Sequence, residues 1–419
     1  MATYSNENRC SSQPALVSFI QSSRKLVSEE EIQLIIQYWI RILEIKLGWV
    51  QDFDRIVVKY ATNFTFEEFR SSSKLLKTFT GHTDYVNSID FFTFDNGQFI
   101  CSGSDDKTVR VWDVDANEQI RSFDGHSGYV YCVKFSQYHH NNNRRSVICS
   151  SSDDKTIRFW DIKDNQQLQV LNGHINAIYG IAFSSFNSGR YLCSTSADYT
   201  IRLWDVETYK SLHVFNEHKS PVRCVDISPL QSSSQNNKSN SIGVIGGNGY
   251  TICSGSLDKT IRIWDIEKVK QLIIFKGHEH LIRCVKYGSN KLENFGCAKT
   301  ILSGSNDESV RLWDIRSGQQ IQVFNGHKNN VNAVEYSPFV IDNIEVGSSS
   351  NVICSGSLDN TIRFWDIRSK KRIIYDSRDY RKDCGILCIK FLQLKNRKRN
   401  NGGINMCYGS HKGPISIWR

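Results

Sequence analysis

Serine, histidine and aspartate recur at matched offsets in this chain, a combination able to activate a nucleophile. The first set is His82, Ser102 and Asp106, and Trp112 follows six residues after the aspartate. A serine hydroxyl becomes nucleophilic when a histidine takes its proton and a carboxylate orients that histidine. The same residue types also build buried hydrogen-bond chains, because histidine donates and accepts whereas the tryptophan nitrogen only donates. Both interpretations fit one set considered alone.

Repetition separates the two interpretations. An enzyme needs one catalytic constellation, whereas this chain carries the set six times. We therefore interpret each set as a structural hydrogen-bond network and predict no catalytic residue. The predicted members are His82, Ser102, Asp106, Trp112, His126, Ser150, Asp154, Trp160, His174, Ser194, Asp198, Trp204, His218, Ser254, Asp258, Trp264, His278, Ser303, Asp307, Trp313, His327, Ser355, Asp359 and Trp365.

A seventh unit departs from this pattern. It has Lys382 in place of histidine, Tyr408 in place of serine and Lys412 in place of aspartate, while Trp418 keeps the tryptophan. These side chains cannot build the same network. The last unit must therefore depend on its apolar core and on strand pairing.

Each of the six tryptophans is followed by aspartate, and Gly-His or a remnant of it precedes each unit. These residues resemble the WD-repeat family, and the resemblance covers residues 75–419. It implies an all-β propeller of four-stranded blades, a structural role for the His-Ser-Asp-Trp tetrad, and other proteins as partners.

Strand counting predicts the size of the ring. Four classes of alternating apolar runs each have seven members, but the chain starts with an outermost strand, LLKTF at 75–79, and stops with the third strand of a blade. We predict a seven-bladed propeller in which residues 75–79 complete the last blade, since closure removes exposed strand edges. The polar insertions at 137–146 and 231–249 are predicted as surface loops on one side of the ring.

The first 74 residues are predicted to be separate from the propeller. Residues 1–27 are polar and are predicted to form a flexible tail. Residues 28–74 are predicted to be helical, because Ser28 and Glu31 form a capping box before an apolar stripe at helical spacing. Two interpretations remain: helices packed on the propeller rim, or a docking helix for a partner, loosely similar to an F-box-like segment.

Composition excludes several classes of protein. The chain has 419 residues and a net charge of 52 − 43 = +9. Between residues 368 and 399 there are twelve basic and three acidic residues, 12 − 3 = +9, so this stretch accounts for the whole excess. A uniformly basic nucleic-acid-binding surface is therefore not indicated. No apolar run approaches the ~18 residues of a membrane span, and no signal peptide is recognisable.

The 13 cysteines do not indicate disulfides. Ten of them fall at two recurring strand positions, where they act as small buried hydrophobes, and no CxxC zinc spacing occurs. A reducing, intracellular compartment is expected, cytoplasmic or nuclear. We predict neither a metal nor a cofactor.

The narrow face around the channel is the predicted partner site. In each blade, the residues flanking the first Val or Ile of the innermost strand should point to this face, together with the residue before the tetrad aspartate. One arc would then be aromatic and acidic, and the opposite arc would carry two arginines, side chains common at binding hot spots. In the alternative, the tyrosines only cap the channel. The predicted residues are Tyr85, Asn87, Asp105, Tyr129, Tyr131, Asp153, Tyr179, Arg223 and Arg283.

The sequence favours a non-catalytic scaffold that binds peptide segments of partner proteins within a multi-subunit complex. No membrane, nucleic-acid or small-molecule partner is expected. The placement of the acidic arc resembles the arginine-binding face of the WD-repeat subunit of histone methyltransferase complexes. An enzyme is the least favoured function.

The alternative function is a substrate receptor of a cullin-type ubiquitin ligase. Arg316 and Arg368 each end a Trp-Asp-Ile-Arg run. These runs resemble the Trp-Asp-x-Arg box of propellers that dock on the damaged-DNA-binding adaptor. The two arginines are therefore candidate adaptor-binding residues, unless they are solvated loop residues.

Overall fold

Seven four-stranded antiparallel sheets build the described part of the chain. The computed structural model describes residues 73–94, 97–228, 250–288, 300–343, 348–367, 372–373, 385–394 and 404–419. The predicted tail at 1–27, the predicted helices up to residue 72 and the insertion at 231–249 lie outside these residues.

Each sheet, or blade, contributes strands to four concentric positions. The innermost strands are β2 (Val86–Phe94), β6 (Val130–Phe135), β10 (Ile178–Phe183), β14 (Val222–Ile227), β18 (Ile282–Tyr287), β22 (Val331–Asn343) and β26 (Ile386–Gln393). The second strands are β3 (Gly97–Ser104), β7 (Val147–Ser152), β11 (Tyr191–Ser196), β15 (Thr251–Ser256), β19 (Thr300–Ser305), β23 (Ser348–Ser357) and β27 (Ile404–Ser410).

The outer two positions complete the blades. The third strands are β4 (Val109–Asp113), β8 (Ile157–Asp161), β12 (Ile201–Asp205), β16 (Thr260–Asp265), β20 (Val310–Asp314), β24 (Ile362–Asp366) and β28 (Ile415–Trp418). The outermost strands are β5 (Glu118–Phe123), β9 (Gln166–Leu171), β13 (Lys210–Phe215), β17 (Lys270–Lys276), β21 (Gln319–Phe324), β25 (Arg372–Ile373) and, for the last blade, β1 (Leu75–Phe79).

The strand β1 closes the ring, as the strand count predicts. It pairs antiparallel with β28, so the two ends of the propeller share one sheet. The backbone N–H groups of Lys74 and Arg419 donate to each other's carbonyl oxygens at 2.9 and 3.0 Å. Phe79 is 2% exposed and packs against Trp112 of the first blade, with ring centroids 5.5 Å apart. Closure therefore combines strand pairing with a buried aromatic contact.

The second strands form the most buried layer, because neighbouring blades cover both of their faces. Every residue of β15 is buried, and its sequence TICSGS uses small side chains. A Cβ atom at Gly255 would lie 2.6 Å from Ile282 Cγ2 of the next blade, so the close approach requires glycine. The ten cysteines in the described strands are free thiols, and burial raises the pKa of those such as Cys253.

The innermost strands surround the channel and place seven equivalent side chains around it. These residues, four positions after the start of each strand, are in chain order Asp90, Lys134, Ala182, Asp226, Lys286, Glu335 and Lys390. Asp90 Oδ1 lies 3.7 Å from Lys134 Nζ and 3.7 Å from Lys390 Nζ, which belong to the two adjacent blades. We call this set the charged ring.

The insertion at 137–146 differs from the predicted loop. Gln137–Asn143 form a short helix, α1, beside a 3-10 turn at Asn187–Gly189 of the next blade. The buried His139 joins Ser136 Oγ to Tyr209 Oη through its two ring nitrogens, at 2.8 and 3.0 Å. Burial, with Arg145 nearby, lowers the pKa of His139 to about 4, so the neutral ring bridges the two blades near neutral pH.

Candidate partner-binding face of the propeller

The six tetrads each form one continuous hydrogen-bond chain. In the fifth blade, Trp313 Nε1 donates to Ser303 Oγ at 2.8 Å, and that oxygen lies 2.8 Å from His278 Nε2. His278 Nδ1 in turn lies 2.7 Å from Asp307 Oδ2. The other five predicted sets have the same three contacts within 2.7–2.9 Å.

The tetrad serine is shielded from solvent. Ser303 is 0% exposed, and its oxygen already contacts both the indole and the imidazole. A nucleophile must reach its substrate, so this arrangement positions strands rather than attacking a bond.

A threonine or serine extends every tetrad and an arginine extends five of the six, and the sequence interpretation missed both. In the second blade, Asp154 Oδ1 accepts from Thr156 Oγ1 at 2.6 Å and from the Thr156 backbone N–H at 3.0 Å. Arg158 Nε donates to Thr156 Oγ1 at 3.1 Å. Hydrogen bonds from His126 and Thr156 outweigh the desolvation of the carboxyl and hold the pKa of Asp154 well below its usual value. The signal for this network is the Asp-x-Thr/Ser-x-Arg spacing, although Arg202 Nε of the third tetrad has no hydrogen-bond partner among the described residues.

The seventh blade has no tetrad. Tyr408 occupies the serine position and is 2% exposed, so its ring fills the space. Trp418 Nε1 is buried and has no hydrogen-bond partner among the described residues. Strand pairing with β1 therefore carries more of the stability of this blade than in the other six.

Five of the predicted residues occupy β-bulges, and all seven innermost strands have an equivalent bulge. The register of each innermost strand shifts between its first and third residues. The second residue is therefore left out of the strand pairing, and its side chain changes direction. The sequence interpretation missed Asn332 and Leu387 in the last two blades. The seven bulge residues are Asn87, Tyr131, Tyr179, Arg223, Arg283, Asn332 and Leu387.

A repeated backbone hydrogen bond joins the other two predicted positions. The N–H of Asp105 donates to the Tyr85 carbonyl at 3.0 Å, and the N–H of Asp153 donates to the Tyr129 carbonyl at 2.9 Å. The corresponding bond occurs in all seven blades at 2.8–3.2 Å. These bonds and the bulges place the candidate residues on one face, which we call the narrow face. It carries the turns between second and third strands.

An aromatic and arginine cluster lies at the centre of this face. The rings of Tyr131 and Tyr179 are 5.0 Å apart, and the guanidinium of Arg223 lies 4.4 Å from the Tyr179 centroid and 5.4 Å from that of Tyr131. The ring centroids of Tyr129 and Tyr131 lie 6.5 Å apart in an edge-to-face arrangement. The expectation of separate aromatic and arginine arcs is wrong for Arg223, because its long side chain reaches across the neighbouring blade.

Arg283 lies beside this cluster, next to Asn306 and Arg223. Its Nε donates to Asn306 Oδ1 at 2.7 Å. Burial and the nearby positive charge of Arg223 lower the pKa of Arg283 to about 10. Two guanidinium groups therefore share one partly desolvated region.

The acidic residues lie on the first two blades. Asn87 Nδ2 donates to Asp105 Oδ1 at 2.6 Å, and Tyr131 Oη donates to Asp153 Oδ1 at 3.4 Å. Partial burial raises the pKa of Asp105 above its ordinary value.

Tyr85 stacks on a residue that the sequence interpretation missed. Its ring lies 4.0 Å from that of His411, with an interplanar angle of 9°. His411 is the counterpart of Asp105 in the seventh blade, and this shared offset was the available signal. Burial, with Arg283 nearby, lowers the pKa of His411, so this stack carries a neutral imidazole near neutral pH.

The candidate adaptor-binding arginines lie elsewhere. Arg316 is exposed in the turn after β20, where its backbone N–H donates to Asp314 Oδ1 at 2.9 Å. Arg368 lies outside the described residues.

The described residues contain no group of three His, Cys, Asp or Glu side chains arranged to hold a metal ion. In the same ranges, no helix has the length and apolar character needed to cross a membrane.

The closed ring of seven four-stranded sheets defines a seven-bladed β-propeller. The family WD domain, G-beta repeat, matches residues 73–113, 117–161, 165–205, 209–265, 269–314 and 318–366. These ranges cover more than half of the chain, which therefore belongs to this WD-repeat family. Propellers of this family are generally non-catalytic scaffolds for other proteins.

Curated relatives match only short parts of the chain. A probable E3 ubiquitin ligase complex SCF subunit sconB of Aspergillus clavatus is 47% identical over 53 residues, 13% of this chain and 7% of that protein. The nuclear distribution protein PAC1 of Debaryomyces hansenii is 32% identical over 79 residues, 17% and 15% of the two chains. The WD repeat-containing protein pop2 of Schizosaccharomyces pombe is 56% identical over 36 residues, 9% and 5%. The matched segments thus span a small part of each relative.

Proposed function

We propose that this protein is a non-catalytic scaffold that binds a peptide segment of a partner protein on its narrow face. The observation that carries the proposal is the pair Arg223 and Arg283 beside Tyr131 and Tyr179. Within the described ranges, no carboxylate lies within ion-pair distance of either guanidinium. A desolvated arginine without an acidic partner favours binding an anionic group from another molecule.

The same face supplies complementary contacts. Asp105 and Asp153, held by Asn87 and Tyr131, offer carboxylates to a basic side chain. The tyrosines contribute apolar area at a low cost in side-chain entropy. A segment with one acidic and one basic side chain would satisfy both halves of the face, which a channel cap alone does not require.

Two single variants test this proposal. Tyr131→Ala and Arg283→Ala are each expected to weaken a partner about thirtyfold, since truncating a hot spot typically costs about 2 kcal/mol. The measurement is affinity purification of the tagged full chain with quantitative mass spectrometry, followed by titration of the partner that both variants lose. Ile321→Ala is the matched control, because Ile321 is 49% exposed but lies on the outermost strand β21.

The thermal stability of all three variants should equal that of the wild type. Narrow-face variants that retain the partner, while the control variant loses it, would place the site elsewhere.

A second candidate function is substrate recognition within a cullin-type ubiquitin ligase. The observation that favours it is the exposure of Arg316 directly after a Trp-Asp-Ile run. The sconB relatives are named as probable SCF subunits of an E3 ubiquitin ligase complex, which is the same class of complex.

The paired variant Arg316→Ala and Arg368→Ala tests the ligase function. We expect it to abolish co-purification of a cullin adaptor without changing the thermal midpoint, because the exposed charge of Arg316 contributes little to stability but can form a charge-assisted contact with a partner. Arg311 lies in the strand β20 that precedes Arg316, and it pairs with the tetrad residue Asp307 at 3.4 Å. It is therefore left unchanged. Wild-type protein that recovers no adaptor would exclude this function.

A further inference from the structure

Two exposed apolar side chains flank the tetrad carboxylate of the third blade. Ile175 is 77% exposed, and its backbone N–H donates to Asp198 Oδ2 at 3.1 Å. Tyr199 directly follows Asp198 and is 47% exposed. We call this pair the blade 3 corner. Both residues lie in connections that reach the narrow face.

The other blades show that the fold does not require apolar residues at this corner. The five other tetrads make the same backbone contact to the aspartate, with polar side chains at both positions. These pairs are Thr83 with Lys107, Ser127 with Lys155, Lys219 with Lys259, Glu279 with Glu308, and Lys328 with Asn360. The blade 3 corner is therefore a local feature with five internal controls.

The backbone of Tyr199 has the conformation that all six tetrads share. Its φ is 71°, in the left-handed region, and the equivalent residues have φ of 63–70° and are lysine, glutamate or asparagine. The distinction of the third blade therefore lies in its side chain, because a bulky ring is disfavoured at positive φ and this one is 47% exposed. An apolar ring that the fold replaces with polar side chains in every other tetrad points to a functional contact.

Small residues join the corner to the arginine cluster. At the positions where the first two blades carry Tyr85 with Asp105 and Tyr129 with Asp153, the third blade has Ala177 and Ala197. The N–H of Ala197 donates to the Ala177 carbonyl at 2.8 Å, so the backbone follows the same path as in the other blades. Only short side chains therefore lie between Tyr179 and the corner, and we call the surface from Tyr179 past Ala197 to the corner the blade 3 strip.

We propose that the blade 3 strip binds an extended peptide with an Asp or Glu side chain at Arg223 and Arg283 and an apolar side chain on the blade 3 corner. The inference rests on the proposed function and names the chemistry of its ligand. The corner lies about two strand spacings, ~10 Å, from the innermost strand, a distance that an extended chain crosses in about three residues.

Charge complementarity selects a carboxylate at the arginine pair. Arg223 is close enough to Asp105 to affect its titration, and Asp153 is bonded to Tyr131 in the same cluster. A single negative charge matches two guanidinium groups near two carboxylates, whereas a phosphate dianion would meet additional repulsion. The bound side chain is therefore acidic rather than phosphorylated.

The test selects random linear peptides on the immobilised full chain. Enriched peptides are expected to share an acidic residue and, about three positions away, a large apolar residue. The variant Ile175→Ser with Tyr199→Lys gives the corner the side chains of the second blade, and it should bind the enriched peptides about tenfold more weakly. The matched control is Leu212→Ser with Val214→Ser, which removes two similarly exposed apolar residues from β13 of the same blade.

Each outcome decides one part of the inference. Peptides with an acidic residue alone, bound equally by wild type and the corner variant, would overturn binding along the blade 3 strip and leave the proposed function standing. Peptide enrichment on the wild-type chain that is no greater than on the variant Arg223→Gln would overturn both this inference and the proposed function. Tighter binding of synthetic peptides with phosphoserine in place of the acidic residue would overturn the carboxylate assignment. Thermal melts of both double variants, or of Tyr199→Lys alone if one is unstable, confirm that the fold is intact.

Discussion

A chain that begins at residue 81 is expected to unfold or aggregate, whereas one that begins at Ser73 should melt like the full chain. The first truncation removes β1, which leaves β28 as an exposed edge and uncovers the apolar contact of Phe79 with Trp112. The seventh blade has no tetrad to compensate. Circular dichroism melts and size-exclusion chromatography measure the difference.

Point variants separate strand closure from chain length. Phe79→Ala should cost about 3–5 kcal/mol of unfolding free energy, as expected for an aromatic residue removed from a core. Leu75→Ala in the same strand should cost less than ~0.5 kcal/mol, because Leu75 is 46% exposed. Equal melting temperatures for the two truncations, or equal costs for the two point variants, would contradict closure by β1.

Acid is expected to destabilise the propeller in two stages. Burial lowers the pKa of His82, His126, His218 and His278 below 6.5. The unfolded chain therefore binds protons first, so the stability from these neutral rings is full above pH 6.5 and is lost as pH falls towards their folded pKa. The six tetrad carboxyls have a folded pKa below 3.8, so their contribution is lost only below that value.

Denaturant unfolding between about pH 7.5 and about pH 5 measures the first stage, in which each histidine contributes up to ~1.4 kcal/mol per pH unit. His278→Gln should reduce this slope, since it removes one of the buried rings. The control is His280→Gln, two residues away and outside the tetrad. A stability that does not change over this range, or equal slopes for the two variants, would contradict the mechanism.

The blade number and the closing strand were predictable because both follow from counting repeated runs. The positions proposed for the narrow face follow from strand alternation, but the bulges that orient these residues do not, since the second residue of each innermost strand has no common type. The contact of Arg223 with Tyr131 spans two blades, so it depends on side-chain reach and not on position in the repeat.

Two other features needed tertiary structure. The helix α1 has the sequence QYHHNNN, which has no apolar stripe, and the contacts of His139 with Ser136 and Tyr209 stabilise it. The blade 3 strip depends on Ala177 and Ala197, whose importance comes from the larger residues that stand at these positions in the first two blades. A small residue in place of a larger one gives no motif within a single repeat, but comparison of the equivalent positions in the blades reveals it.

The charged ring has a consequence for the number of blades. Around the channel its signs run negative, positive, neutral, negative, positive, negative, positive, and the last position adjoins the first. A closed circle of odd size cannot alternate two signs throughout, because one pair of neighbours must then carry the same charge. The neutral Ala182 lies between Lys134 and Asp226, so no such pair arises. The seven positions therefore equal a ring of six alternating charges into which one uncharged residue has been inserted. Removal of the third blade would leave the alternation of charges intact, whereas removal of any other blade would not.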